Sequence, residues 1–334
     1  SDGTKDGGYF MANWSIYKAK EDLTQLSKQY GLNVAFFDGR GGPPARGGGN
    51  THQFYASMGN KIQADDIQLT VQGQTISSNF GTEDSCQYNL EQLLSSGIQN
   101  QVFDSERSNL IIDDRETLTI LASKSHDKYQ KFKLHPDFLA YLEEMTTLRY
   151  YSKANIGSRP SKRGSSSKLD LSDLRAIPFV GSWSQSKQNV PGFFGVGTAL
   201  KSFEVNGEFE RVTQLYQRCS FFKTLIANSM MSLTKSFFAL TAHMQNDPRF
   251  GEFWNVIHDE YLLTKEMIIK LTGLNNLMEN EPTGKASIKV REEIVQPLLT
   301  IQQYALMTIQ DSKITKDVSD EIIALYEKMV TRSL

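Results

Sequence analysis

The chain has 334 residues, 39% hydrophobic and 22% charged, enough for one large core or two ordinary domains without covalent staples. With 36 Lys and Arg against 38 Asp and Glu the net charge is -2, so whole-molecule attraction to nucleic acid is not expected and an anion site must be built locally. No apolar run is long enough to cross a bilayer, and the two cysteines, Cys86 and Cys219, lie outside any ligand motif, which argues against a membrane role, a disulfide scaffold or a thiolate zinc site and fits a reducing cytoplasm.

The chain opens on Ser1-Asp2-Gly3-Thr4 rather than on Met, with no basic-then-apolar leader, and reads as a fragment. From Tyr9 to Tyr30 the residues Phe10, Trp14, Tyr17, Leu23 and Leu26 recur at helical spacing, predicting an amphipathic helix that Gly31 stops. Leu32 to Phe37 is a short apolar run of strand length leading into a glycine-rich turn. Asn50 is placed to cap a short helix around His52 to Met58, and Ile67 to Val71 is a second strand candidate.

Asp84 or Ser85 starts a predicted helix to about Val102, another runs from Arg115 to about Lys133, and Pro136 opens a third. Ser158 to Ser172 is rich in Ser, Gly, Lys and Arg and is expected to be a mobile loop. Ile177 to Ser182 is a further strand candidate, and Val190 to Gly197 a glycine-punctuated bend leading into helix. From Thr198 to Leu334 the pattern is helical, broken near Asp247-Pro248 and between Glu279 and Gly284. The order of elements predicts a helix-rich α/β fold.

The segment from Gly39 to Gly49, Gly-Arg-Gly-Gly-Pro-Pro-Ala-Arg-Gly-Gly-Gly, follows a strand. Glycines let backbone amides approach an anion, and Arg40 and Arg46 add bidentate contacts to phosphate or carboxylate. It lacks the Gly-Lys-Ser/Thr of a nucleotide loop and the spacing of a dinucleotide fold. A flexible turn with solvated arginines and an RNA-binding segment are the alternatives, the latter disfavoured by the strand context and missing aromatics. Arg159, Lys162 and Arg163 in the serine-rich loop, with Arg175 at its edge, form a second basic group that either faces the same anion or faces water. Asp2 and Asp6, just before the first helix, either ligate Mg²⁺ or Mn²⁺ or favour the helix N-terminus. His52, His126, His135, His243 and His258 show no ligand or triad spacing.

These stretches, in this order, resemble the phosphoenolpyruvate carboxylase family: Ser1 to Gly8, Phe37-Asp38-Gly39-Arg40-Gly41-Gly42, Arg46 to Gly49, Ile156 to Arg163, Leu174 to Phe179, Ser182 to Gln185 and Pro191 to Gly195. The match is dense to about Leu200 and thin beyond it, where Ser287 to Arg291 fits best. The resemblance implies the later part of a (β/α)₈ barrel in residues 1–200, active at the C-terminal ends of its strands, and a helical portion in 201–334. It implies substrate-phosphate contacts at Arg40, Gly41, Gly42 and Arg175. Catalytic roles fall to Lys5, Arg46 and Arg159, and Asp2 becomes a ligand of Mg²⁺ or Mn²⁺. The implied reaction joins bicarbonate to phosphoenolpyruvate, giving oxaloacetate through carboxyphosphate and the pyruvate enolate.

The family is commonly homotetrameric and inhibited by aspartate or malate, at a site that Lys235 and Arg291 match. Three departures stand out. Asp38 replaces a usual histidine, Lys187 stands where arginine is common, and the serine-rich loop is longer. The family's catalytic histidine, a further arginine and a second metal carboxylate precede the matched region, and its last inhibitor ligand follows it. The polypeptide alone is therefore expected not to carboxylate. The alternative is a non-catalytic phosphate-binding or regulatory module.

Overall fold

The computed structural model of the chain describes residues 2–71, 73–103, 110–154, 169–315 and 319–334. Helices dominate: α1 (Asp2–Gly7), α2 (Tyr9–Gln29), α3 (Thr51–Ala56), α4 (Gln74–Phe80), α5 (Glu83–Ile98), α6 (Ile112–Lys133) and α7 (Phe138–Glu144). There follow α8 (Ala176–Gln185), α9 (Val196–Val205), α10 (Phe209–Arg218), α11 (Ser220–Thr234), α12 (Gly251–Thr272), α13 (Pro282–Thr315) and α14 (Asp320–Arg332). None of the described helices is long and apolar enough to cross a membrane.

Strands β1 (Phe36–Arg40) and β2 (Ile67–Val71) pair in parallel, Phe36 opposite Ile67 and Arg40 opposite Val71. Parallel pairing demands a crossover, which α3 supplies. Among the described residues the sheet has these two strands. Along β1 the burial alternates, so Phe36, Asp38 and Arg40 share the inner face while Phe37 and Gly39 face out.

Three local expectations are corrected. The first strand starts at Phe36, not Leu32, because the Leu32 amide closes the end of α2 on the Ser27 carbonyl (2.9 Å). In α2, Phe10, Trp14 and Tyr17 are buried, but Leu23 and Leu26 stay 50% exposed. Ile177 to Ser182 is helix, within α8, not strand. Its apolar run is too short for periodicity to decide, and Pro178 is tolerated in a first turn whose amides have no helical acceptor. At the end of the serine-rich stretch Leu169 is buried and Leu171 packs on the core; residues 155–168 lie outside the described ones.

Capping differs too. Thr82 Oγ1, not Asp84 or Ser85, accepts from the Ser85 amide at the start of α5 (3.4 Å). Asn50 precedes α3 without a side-chain cap bond and donates instead to Gln53 Oε1 (3.1 Å).

The core centres on Phe132 of α6, stacked on Phe194 (4.1 Å between centroids) and Phe253 (5.1 Å), beside fully buried Trp183. The short helix α1 leaves its last carbonyls to α6, a helix end's usual need: the Tyr129 hydroxyl donates to Lys5 O (3.0 Å), and Gln130 (2.8 Å) and Lys133 (2.5 Å) to Asp6 O. A second, smaller cluster of Tyr150, Ala305, Leu306, Ile309 and Val330 ties α13 and α14 to the body.

Candidate functional site

β1 ends at Arg40, and the glycine-rich segment folds back on itself directly beyond it. The Gly41 amide donates to Arg46 O (2.9 Å), Gly48 to Pro43 O (3.0 Å) and Gly49 to Gly42 O (3.3 Å). Two glycines are sterically required. A Cβ on Gly48 would lie 1.9 Å from the Gly42 carbonyl oxygen, and Gly49, at φ +90°, would put one 2.2 Å from Asn228 Oδ1. Asn228, buried on α11, also bonds the Tyr9 side chain. Gly42 is roomier, with Thr75 Oγ1 3.4 Å from its would-be Cβ.

Arg40 is 7% exposed. Its guanidinium lies 4.2 Å from the Phe54 ring centroid and 5.6 Å from that of Tyr55, and Nη2 reaches Gly48 O at 3.4 Å. Burial pulls its pKa down, partly offset by Tyr55 and Asp38, but an arginine stays charged at any ordinary pH. Its Nε is buried without a hydrogen-bond partner among the described residues. Asp38 Oδ2 receives Lys20 Nζ (2.6 Å) and the Tyr55 hydroxyl (2.9 Å).

Arg46 closes the 3-10 turn Pro44–Arg46, which packs on α1, α8 and α11. Burial lowers its pKa, while the neighbouring Tyr151 phenol is pushed up to about 12, also by burial. Tyr151 in turn presses on α8, where a Cβ on Gly181 would meet its hydroxyl at 2.0 Å. Arg175 is the residue before α8, with extended backbone, and its Nε too is buried without a hydrogen-bond partner among the described residues. Lys5 of α1, 4% exposed, pairs with Asp6 (2.7 Å) and donates to Leu171 O (3.1 Å), tying α1 to the segment that enters α8. Asp2 is exposed at the start of α1. No group of three or more His, Cys, Asp or Glu among the described residues is placed to hold a metal ion. Arg159 lies outside the described residues.

A second cationic group sits on the helical side. Lys187, 7% exposed at φ +56°, pairs with Glu292 of α13. Lys235 adjoins them, its pKa lowered by burial and then by Arg291 and Lys187, with Glu292 opposing. Lys235 and Arg291, distant in sequence, are thus neighbours, with Glu292 as the anion named among them.

The residues that sequence reasoning missed are Lys20, Phe54, Tyr55, Tyr151, Asn228 and Glu292. Lys20 carried a signal, a charge on the inner face of an otherwise aromatic stripe; the others looked like ordinary core or surface.

A parallel βα unit with a glycine loop and buried Arg40 at a strand's C-terminal end defines an α/β protein with backbone amides and a guanidinium gathered where such folds offer room for an anion. The family model for phosphoenolpyruvate carboxylase matches residues 1–333, and the chain belongs to that family. It is similar to the phosphoenolpyruvate carboxylase of Nostoc sp., 33% identical over 345 residues that cover 98% of this chain and 33% of that protein. The enzyme of Prochlorococcus marinus is 34% identical over 334 residues, covering 97% and 34%. The chain spans about a third of the length of the curated relatives it matches.

Proposed function

We propose that the chain carries the phosphate-binding loops of a cytoplasmic phosphoenolpyruvate carboxylase. Residues 1–200 are its later barrel elements, and 201–334 a helical, regulatory portion. The observation that carries this reading is the pair of buried guanidinium Nε atoms, on Arg40 and Arg175, that lack hydrogen-bond partners among the described residues. A buried donor left unsatisfied costs about 1–3 kcal/mol, a cost that an incoming phosphate or carboxylate would remove.

Arg40 and Arg175, with the Gly41-Gly42 backbone, bind the phosphate of phosphoenolpyruvate. A bicarbonate oxygen attacks phosphorus, the bond to the enol oxygen breaks, and carboxyphosphate and the pyruvate enolate result. Carboxyphosphate releases carbon dioxide and phosphate, and the enolate carbon attacks carbon dioxide to give oxaloacetate. Arg46 and Lys5 hold the bicarbonate and its charge, and Arg159 belongs to the segment that excludes water from the enolate. Mg²⁺ or Mn²⁺ belongs to this reading, with Asp2 as one ligand. The test is bicarbonate-dependent formation of oxaloacetate by the protein that carries this chain. Turnover is expected. Its absence, with phosphoenolpyruvate still bound, would favour a non-catalytic phosphate-binding module.

Lys187, Lys235 and Arg291 form an inhibitor site for aspartate or malate, partly filled by Glu292. Glu292→Gln is then expected to tighten malate binding by about tenfold or more, the worth of one contact to a charged group, in a calorimetric titration. Unchanged affinity would assign inhibition elsewhere. Self-association fits the exposed apolar stripe Val290, Ile294, Leu298 and Ile301 along one face of α13.

A further inference from the structure

Asp38 and Arg40 lie on the same face of β1, which would set a carboxylate against a bound phosphate unless its charge were compensated. Lys20 of α2, 7% exposed, compensates it, with Nζ 2.6 Å from Asp38 Oδ2. The same oxygen accepts the Tyr55 hydroxyl at 2.9 Å. Tyr55 is held at its other end by buried Asn100, whose side-chain amide donates to the Tyr55 carbonyl at 2.7 Å. The ring so fixed lies, with Phe54, against the Arg40 guanidinium. A long arginine loses rotamer freedom when it orders on a ligand, a cost that weakens binding. A rigid aromatic support removes that cost before the ligand arrives.

We propose that Asp38 is a positioning residue of the anion site: its carboxylate anchors the Tyr55 ring that supports Arg40, while Lys20 cancels its charge. The inference rests on the reading of Arg40 as a phosphate ligand. It gives this chain's departure from the family's usual histidine a role. An imidazole at position 38 would remove the carboxylate that receives both Lys20 and the Tyr55 hydroxyl, so Asp38→His is expected to loosen the ring under Arg40 and weaken phosphoenolpyruvate binding here rather than to improve it.

The experiment is calorimetric titration of phosphoenolpyruvate into the protein that carries this chain, with thermal unfolding followed in parallel. Tyr55→Phe keeps the ring and removes only the anchoring hydroxyl; it is expected to weaken binding about fivefold, a fraction of the strength of a hydrogen bond to a charged group because the effect reaches the ligand only through Arg40, with a near-normal unfolding midpoint. Asp38→Ala, which removes the acceptor that Asn would keep, should weaken it similarly, and the double variant no more than either alone, because both changes act through one ring. Additive losses in the double variant, or unchanged affinity in Tyr55→Phe, would overturn the proposal. Arg40→Gln separates this failure from that of the underlying reading. Binding that survives Arg40→Gln, or a natural-sequence protein that binds no phosphoenolpyruvate, would remove Arg40 as a ligand and the inference with it. Binding lost in Arg40→Gln but untouched by Tyr55→Phe would overturn the positioning role alone.

Discussion

Arg40→Ala should lower the affinity of the protein that carries this chain for phosphoenolpyruvate by about 100-fold or more, since each hydrogen bond to a charged group contributes about 1.5–3 kcal/mol and a guanidinium offers two in parallel. Arg40→Lys is the sharper variant. It keeps the charge but loses the planar group that lies over Phe54 and the fork that grips two oxygens. An intermediate loss of about tenfold is expected from one such bond forgone. Titration with phosphoenolpyruvate, or the substrate dependence of turnover, measures both. If Arg40→Lys bound as tightly as the natural sequence, point charge alone would explain the site and the aromatic support would be irrelevant to it.

Gly48→Ala should abolish anion binding and destabilise the fold, by about 3 kcal/mol or more, at or beyond the upper end of overpacking costs. The added methyl would sit 1.9 Å from the Gly42 carbonyl oxygen, and backbone cannot step aside as a flexible side chain would. The return of the segment from Gly41 to Gly49 would have to open, separating Arg46 from Arg40. Gly39→Ala, in the neighbouring strand, is the control. Nothing lies within 4 Å of its would-be Cβ, so a change within about 0.5 kcal/mol is expected, as for ordinary surface positions. Unfolding midpoints for the two variants decide the matter. Equal stability of both would mean that the loop does not need its close backbone approach.

The family was legible in the order of the motifs. The glycines after the strand read either as letting backbone amides approach an anion or as a flexible turn; the close packing at Gly41, Gly48 and Gly49 is what the structure adds. Helix α6 and strand β2 were placed to within a few residues, since their apolar spacing or β-branched content is a property of the segment itself. Segment α8 was misread for the converse reason. Ala176 to Ser182 is a short apolar run packed on most sides between Tyr151 and the aromatic core, yet with Ile177 exposed, and so short a run does not show the periodicity that separates helix from strand.

By itself the sequence determined the helical build, the glycine loop with Arg40 and Arg46, and the family resemblance, all of which depend on residue types at short spacing. Only the tertiary structure decided what surrounds them. Lys20 and Tyr55 reach Asp38 from 18 and 17 residues away, and Glu292 reaches Lys187 from another helix. Charge and hydrogen-bond compensation is settled by which side chains crossing elements bring within about 3 Å of one another, and local pattern does not encode those crossings.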